Sequence, residues 1–310
     1  MTVSLRSLLS LAIVAALAGC NSSQSPAPAP APAPEPQAAP ASAVVEQPAA
    51  DPLSAALSGA HRSDENRARD AWRHPQETLA FFGFRPDLTV VEVTPGGGWY
   101  TEVLAPALRG SGRLVAAVID PASAANERSR DYYTRGNEAF RAKLDANPEV
   151  YDQVVVTPFS MSEPVFGEPG SVDLVLTFRN VHNWVGAGAA PGMFKGFYDA
   201  LRPGGVLGVV EHRAQPGSKA AEDAGSGYMT EDAIIALATA AGFELAGKSE
   251  VNANPADSTD HPNGVWTLAP SLRVPEGEDA EKYKAIGESD RMTLRFVKPR
   301  ADEIKRTSMD

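Results

Sequence analysis

The stretch VVEVTPGGGWYTEVLA, Val90 to Ala105, decides the fold. It is entered through Thr89-Val90-Val91-Glu92-Val93, an apolar β-branched run that reads as a strand buried on both faces. Pro95 ends the run, and Gly96, Gly97 and Gly98 follow. From Trp99 onward, Tyr100, Val103, Leu104 and Ala107 recur at the three- and four-residue spacing of a helix face. Strand, glycine turn and helix start together predict a nucleotide-type pocket. Glycines accept φ > 0 and let the backbone approach a ligand, and the first helical turn offers unpaired N–H groups. The plainer alternative is a turn that merely joins strand to helix, and the rest of the chain decides between them.

Working outward, Arg113 to Ile119 reads as a second strand, closed by Asp120-Pro121. An acidic side chain about twenty residues past the glycines is where doubly wound folds bind ribose hydroxyls, although Asp-Pro can equally cap a helix. A charged surface helix from Tyr132 to Leu144 leads to a third strand, Gln153 to Thr157, and then to Ser160 and Met161. Asp173 to Thr177 is a buried fourth strand whose following loop, FRNVHNW, carries Arg179, Asn180, His182, Asn183 and Trp184. Open α/β sheets hold ligands beyond the strand carboxyl ends, which makes this loop a site candidate. A helix from Gly192 to Leu201 and the turn Leu201-Arg202-Pro203-Gly204-Gly205 precede a fifth strand, Val206 to Glu211. That strand delivers Glu211, His212 and Arg213 to the same edge. Thr230 suits an N-cap, and Phe243 to Val251 and Arg291 to Lys298 read as the last two strands. The insert between them, residues 252–290, carries Asp257, Asp260, His261 and Trp266 in a spacing that fits no metal motif; it reads as a lid or as a surface loop.

With these residues in view, E-x-T-x-G-G-G from Glu92 to Gly98 resembles motif I of the class I S-adenosylmethionine-dependent methyltransferases, usually (D/E)-x-G-x-G-x-G. Thr94 stands where the first glycine is expected. SVDLVLTFRN resembles motif IV, and LRPGG resembles the turn before the fifth strand of that family. The resemblance covers Ser63 to Pro299. A narrower likeness, through VVEV-P-GGGWYTE, RN-HNW and D-HP-GVW, is to bacterial proteins described as predicted methyltransferases. It implies an α/β fold with a doubly wound, seven-stranded Rossmann-like sheet and S-adenosyl-L-methionine as cofactor. On this likeness Glu92, Thr94, Gly96, Gly97, Gly98, Tyr100, Asp120, Ser160, Met161, Arg179 and Asn180 surround the cofactor. His182 or His212 takes a proton from an unknown methyl acceptor, and no metal is expected. The family often places an acid after the third strand, where Ser160 or Met161 stands here. Competing motifs are missing from this loop: it lacks the Lys-Ser/Thr of a P-loop, and Trp99-Tyr100-Thr101 after Gly98 breaks the G-x-G-x-x-G spacing; no G-x-S-x-G elbow occurs in the chain.

The start of the chain reads as an address. Arg6 and the apolar run Leu8 to Ala18 form a signal peptide over residues 1–20, too short to span a bilayer. Leu17-Ala18-Gly19-Cys20 resembles a bacterial lipobox, which implies lipidation of Cys20, the only cysteine in the chain. Asn21 after it implies sorting to the outer membrane, facing the periplasm, so the membrane is a partner through the lipid anchor. Residues 21–60 form an Ala/Pro-rich tether, and residues 61–310 form the domain, opening with two short helices between Ser63 and Phe82 that Pro75 separates. A net charge of −11 argues against a nucleic-acid partner, whose phosphates call for a basic patch. The envelope address raises a rival expectation, a non-catalytic ligand-binding lipoprotein that keeps the methyltransferase fold.

Overall fold

The computed structural model describes residues 51–216 and 224–300. The signal peptide, Cys20 and the tether up to residue 50 lie outside the described residues. Helix α1, Pro52–Ser58, falls within the segment assigned to the tether; it buries Leu53 and Ala56, so the folded unit reaches back to Asp51, which caps the helix. The lead-in breaks into three short helices rather than two: α2 Asp64–Ala68, α3 Asp70–Arg73 and α4 Pro75–Phe81. The break before α4 falls at His74, which takes φ 37° ahead of Pro75, whose ring disfavours a helical residue in front of it.

Strand β1, Thr89–Val93, has the predicted bounds. After it come α5 Thr101–Leu108, β2 Arg113–Ile119, α6 Glu127–Asp145, α7 Pro148–Tyr151 and β3 Val155–Phe159. Pro158 lies inside β3, which is tolerable because β3 is an edge strand and one side of its backbone needs no ladder partner. Then follow β4 Val172–Phe178, α8 Val181–Gly186, α9 Ala190–Ala200 and β5 Leu201–His212, which absorbs the Pro-Gly-Gly turn. The chain closes with α10 Glu231–Ala240, β6 Glu244–Ser249, α11 Ala280–Ile286 and β7 Arg291–Val297.

The seven strands form one sheet in the order β3-β2-β1-β4-β5-β7-β6. The first five pair in parallel, and β7 runs antiparallel between β5 and β6. This is the doubly wound sheet of the class I methyltransferases. One apolar core lies on each face. Val91, Val175, Leu207 and Leu294 point into one, with Trp184, Phe194 and Phe197 from the helices. Val90, Leu174, Leu176 and Val210 point into the other, with Leu79, Phe82 and Leu104. The alternation along β1 and β4 follows from the two-residue side-chain period of a strand. Polar residues therefore collect where the period ends, at the strand carboxyl ends.

The insert is pinned rather than free. Asp257 is its hub: fully buried, it accepts hydrogen bonds from the Tyr228 hydroxyl and the Thr259 and Asp290 N–H groups, and pairs with His261 Nε2 at 2.8 Å. Asp260 turns away to the Ser258 hydroxyl, so Asp257, Asp260 and His261 do not converge on a common point. Asn254 Nδ2 donates to the carbonyls of Ile286 and Glu288, fixing the end of the insert against its start. Among the described residues no helix is long and apolar enough to cross a membrane.

Candidate functional site

The turn after β1 keeps its shape although Thr94 replaces a glycine. Thr94 takes φ 53°, a left-handed conformation unusual for a β-branched residue, while its N–H donates to Ala117 O at 2.8 Å. Gly96 follows at φ 58°, and a Cβ on Gly96 or Gly97 would meet no protein atom. Both therefore face open space. Gly98 is a different case: at φ 74°, its Cβ would lie 2.9 Å from Phe140, so α6 packing requires this glycine. Lys143 of α6 clamps the turn by donating to Gly97 O at 2.8 Å and to Glu102 Oε1 at 2.6 Å.

That open space is a cleft of about 280 Å³ lined by Glu92, Thr94, Gly96, Gly97, Tyr100, Arg179 and Asn180, all expected site residues. Asn66, Arg69, Arg73, Trp99 and Phe178 line it as well. Across the turn lies a smaller, mostly apolar hollow of about 90 Å³, bounded by Ile119, Tyr132, Tyr133 and Asn137 and sharing Thr94, Pro95 and Gly96 with the cleft. Glu92 forms part of the cleft floor. It is fully buried, accepts a hydrogen bond from the Thr101 hydroxyl at 2.6 Å, and burial pushes its carboxyl up to about 7. Thr94 Oγ1 is buried and finds no hydrogen-bond partner among the described residues. A buried hydroxyl without a partner, beside two glycines facing open space, fits a polar ligand held against this turn.

The lead-in helices bring arginines over the cleft. Trp99 Nε1 donates to Asn66 O, Asn66 Nδ2 donates to Glu102, and the Tyr100 hydroxyl donates to Arg73 O. Tyr100 in turn stacks on Phe178 at 3.5 Å. These bonds hold α2 and α3 against the glycine turn, with Arg73 over the Trp99 ring at 4.6 Å. Arg69 Nε lies 2.6 Å and Arg73 Nε 3.2 Å from Glu288, and Arg291 pairs with the same carboxylate. Burial alone would raise the Glu288 carboxyl, yet Arg291, Arg73 and Arg69 hold it well below the usual carboxylate range. Arg179, at φ 61°, makes no ion pair with a described carboxylate; burial and then Arg291 push it down to about 10.

The histidines sit behind this wall. Neither His182 nor His212 lines the cleft. They are neighbours, with ring centroids 5.6 Å apart, and Trp266 of the insert packs 6.0 Å from His182. Glu211, fully buried at the end of β5, accepts from Val181 N at 2.6 Å and His212 N at 2.9 Å, and pairs with His182 Nδ1 at 3.0 Å. His212 Nδ1 meets the Ser289 hydroxyl. Burial, then the charges of Arg291, His182, Arg179 and Arg73, hold His212 well below its ordinary value, so its imidazole stays neutral at pH 7.

Besides the two histidines and Gly98, which packs on Phe140, three expected residues lie outside the cleft lining. Asp120 caps the short 3₁₀ turn Pro121–Ser123, its Oδ1 accepting from Ala122 N at 2.9 Å, which is the capping alternative noted above. Ser160 bonds the Ser162 hydroxyl, and Met161 packs at the margin of a core; neither lines either hollow. Arg69, Arg73 and Glu288 were not anticipated. Their signal was faint: two arginines four positions apart in an acidic chain, inside a segment that reads only as a helical cover.

No protein-family model and no curated protein matches the chain. Solved structures do. The [4+2]-cyclase SpnF aligns with 78% of this chain and 85% of its own at 14% identity and a TM-score of 0.50. A SAM-dependent methyltransferase from Aquifex aeolicus aligns with 60% of this chain and 87% of its own, at 16% identity and TM-score 0.46. Geranyl diphosphate methyltransferase in complex with SAM aligns over 79% and 94%, at 15% identity and TM-score 0.47. Likeness at this identity establishes the fold. The neighbours' names include both a cyclase and methyltransferases, so the reaction must be argued from the site.

Proposed function

We propose that the chain is an S-adenosylmethionine-dependent methyltransferase. The observation that carries this reading is the cleft itself: in a class I sheet, the glycine turn after β1 opens on a hollow lined by Glu92, Thr94, Gly96, Gly97, Tyr100 and Asn180. The partnerless Thr94 hydroxyl supports it, because a polar ligand held against the turn would supply that group with a hydrogen-bond partner. When bound, the cofactor supplies a sulfonium-activated methyl group. The chain's own residues would hold it, exclude water and align the acceptor, since in-line displacement depends chiefly on positioning. Where the acceptor must lose a proton, His182 is the candidate base, with Nδ1 held by Glu211 and Nε2 left for the proton; because it stands outside the cleft lining, the proton would have to reach it through an intervening group. On the lipobox, the chain would be anchored through Cys20 to the envelope; Cys20→Ala should abolish incorporation of radiolabelled palmitate in cells, and retained label would refute the anchor.

The deciding experiment is calorimetric titration of the protein with S-adenosylmethionine and S-adenosylhomocysteine, repeated on Glu92→Ala. Saturable binding of both, lost in the variant, is expected. Absence of binding at millimolar ligand would refute the reading.

A further inference from the structure

The cleft carries more positive charge than the cofactor can use. Arg69, Arg73 and Arg179 line it, with Arg291 behind them. Glu288 is the carboxylate that pairs with three of these four, and Arg179 pairs with no described acid. Even with Glu92 ionised, cations outnumber anions around the hollow, in a chain whose net charge is −11. Arg73 is buried, and burying a guanidinium that lacks full compensation is costly, so the arrangement calls for a counter-charge. S-adenosylmethionine does not provide it. Its one carboxylate is outweighed by its ammonium and its sulfonium, so its arrival adds positive charge.

We propose that Arg69, Arg73 and Arg179 form a subsite for the methyl acceptor, and that the acceptor is a small anion bearing a carboxylate or phosphate. This rests on the methyltransferase reading above. Guanidinium groups bind both anions through paired N–H donors. Arg73 and Arg69 reach Glu288 through Nε, and no described residue hydrogen-bonds their terminal amino groups. Arg179 is the most informative of the three. It projects from the loop after β4 and has no ion pair to break, so its replacement leaves the Glu288 cluster intact. It already holds φ 61°, so glutamine in its place adds no backbone strain.

The test is calorimetric titration of the full chain, saturated with S-adenosylhomocysteine, with sodium succinate and separately with inorganic phosphate. At least one anion should bind saturably. Arg179→Gln should weaken that binding by roughly tenfold or more, and Arg179→Lys should restore part of it, because charge survives without the fork. Thermal melts of both variants should match wild type, which separates lost binding from lost folding. If neither anion binds the saturated chain, the acceptor subsite is overturned; an anion that binds only when S-adenosylhomocysteine is left out would place the arginines on the cofactor's own carboxylate. If an anion binds but S-adenosylhomocysteine does not, the methyltransferase reading fails and the acceptor assignment falls with it.

Discussion

Replacing Thr94 by glycine should stabilise the protein while weakening its ligand. Thr94 is held at φ 53°, where a Cβ crowds the following carbonyl; relief is worth about 1–2 kcal/mol. Its buried hydroxyl has no described partner, and removing such a group recovers about 1 kcal/mol at the low end of its range. Glycine's greater freedom in the unfolded chain takes back about 0.5–1 kcal/mol. The N–H to Ala117 O bond survives, because it is a backbone bond. The net gain is about 1–2.5 kcal/mol, or a rise in Tm of about 2–10 °C for a domain of this size. Urea and thermal denaturation of Thr94→Gly beside wild type measure it. The affinity for S-adenosylhomocysteine should move the other way, because the hydroxyl that the ligand would satisfy is gone. An unchanged or lower Tm would refute the strain argument; unchanged affinity would refute the assignment of Thr94 Oγ1 to the ligand.

Three further expectations follow from the charges. Burial raises Glu92 from 4.5 to about 7, so the fold prefers its protonated form. The resulting stability is present below pH 4.5 and is lost as pH rises through 7; Glu92→Gln should flatten the stability profile across that window by about 3 kcal/mol, and parallel profiles would contradict it. Glu288→Gln leaves three arginines around a neutral amide and should lower unfolding free energy by about 3–5 kcal/mol in urea titration; a loss near zero would show that the arginines do not depend on it. Without added anion, the net-neutral S-adenosylhomocysteine should bind more tightly than cationic S-adenosylmethionine, and saturating succinate or phosphate should narrow the difference. A ratio indifferent to the anion would count against charge as its cause.

The parts of this architecture that the sequence discloses are those fixed by short-range rules. β1 was legible to the residue because a continuous β-branched run ending at proline admits little else. The doubly wound seven-stranded sheet was implied by the resemblance that the glycine turn and the Pro-Gly-Gly turn carry, whereas its strand order is read only from the structure. The exception at Thr94 proved compatible because a left-handed residue is strained, not forbidden. What stayed hidden is long-range. Arg69 and Glu288 are 219 residues apart, and no local pattern announces that a helical cover and the end of an insert will meet above the cleft. Asp120 shows the converse. An Asp-Pro pair at a strand end is compatible with two roles, and the local N–H of Ala122 takes the side chain in this structure. The lead-in fragments at His74 because of Pro75 and also at Arg69, where α2 ends and α3 begins, and this second break blurs the one-face argument that would have paired Arg69 with Arg73.

The arginines and the histidine pair are one electrostatic unit. His212 is depressed first by burial and then by Arg291, Arg179 and Arg73 among its neighbours, so the charge that would draw an anion into the cleft adds to what keeps His212 neutral. Glu211 pairs with His182 Nδ1 while it accepts the N–H groups at the start of α8. The same carboxylate therefore fixes the loop that carries Arg179 and orients the imidazole behind it. An acceptor bound by Arg179 would lie against a loop whose position is set by the buried anchor of the candidate base. On the proposed reading, anion binding and proton removal would share that support, so displacing the loop would perturb both together, whereas neutralising Arg179 alone would act on the first.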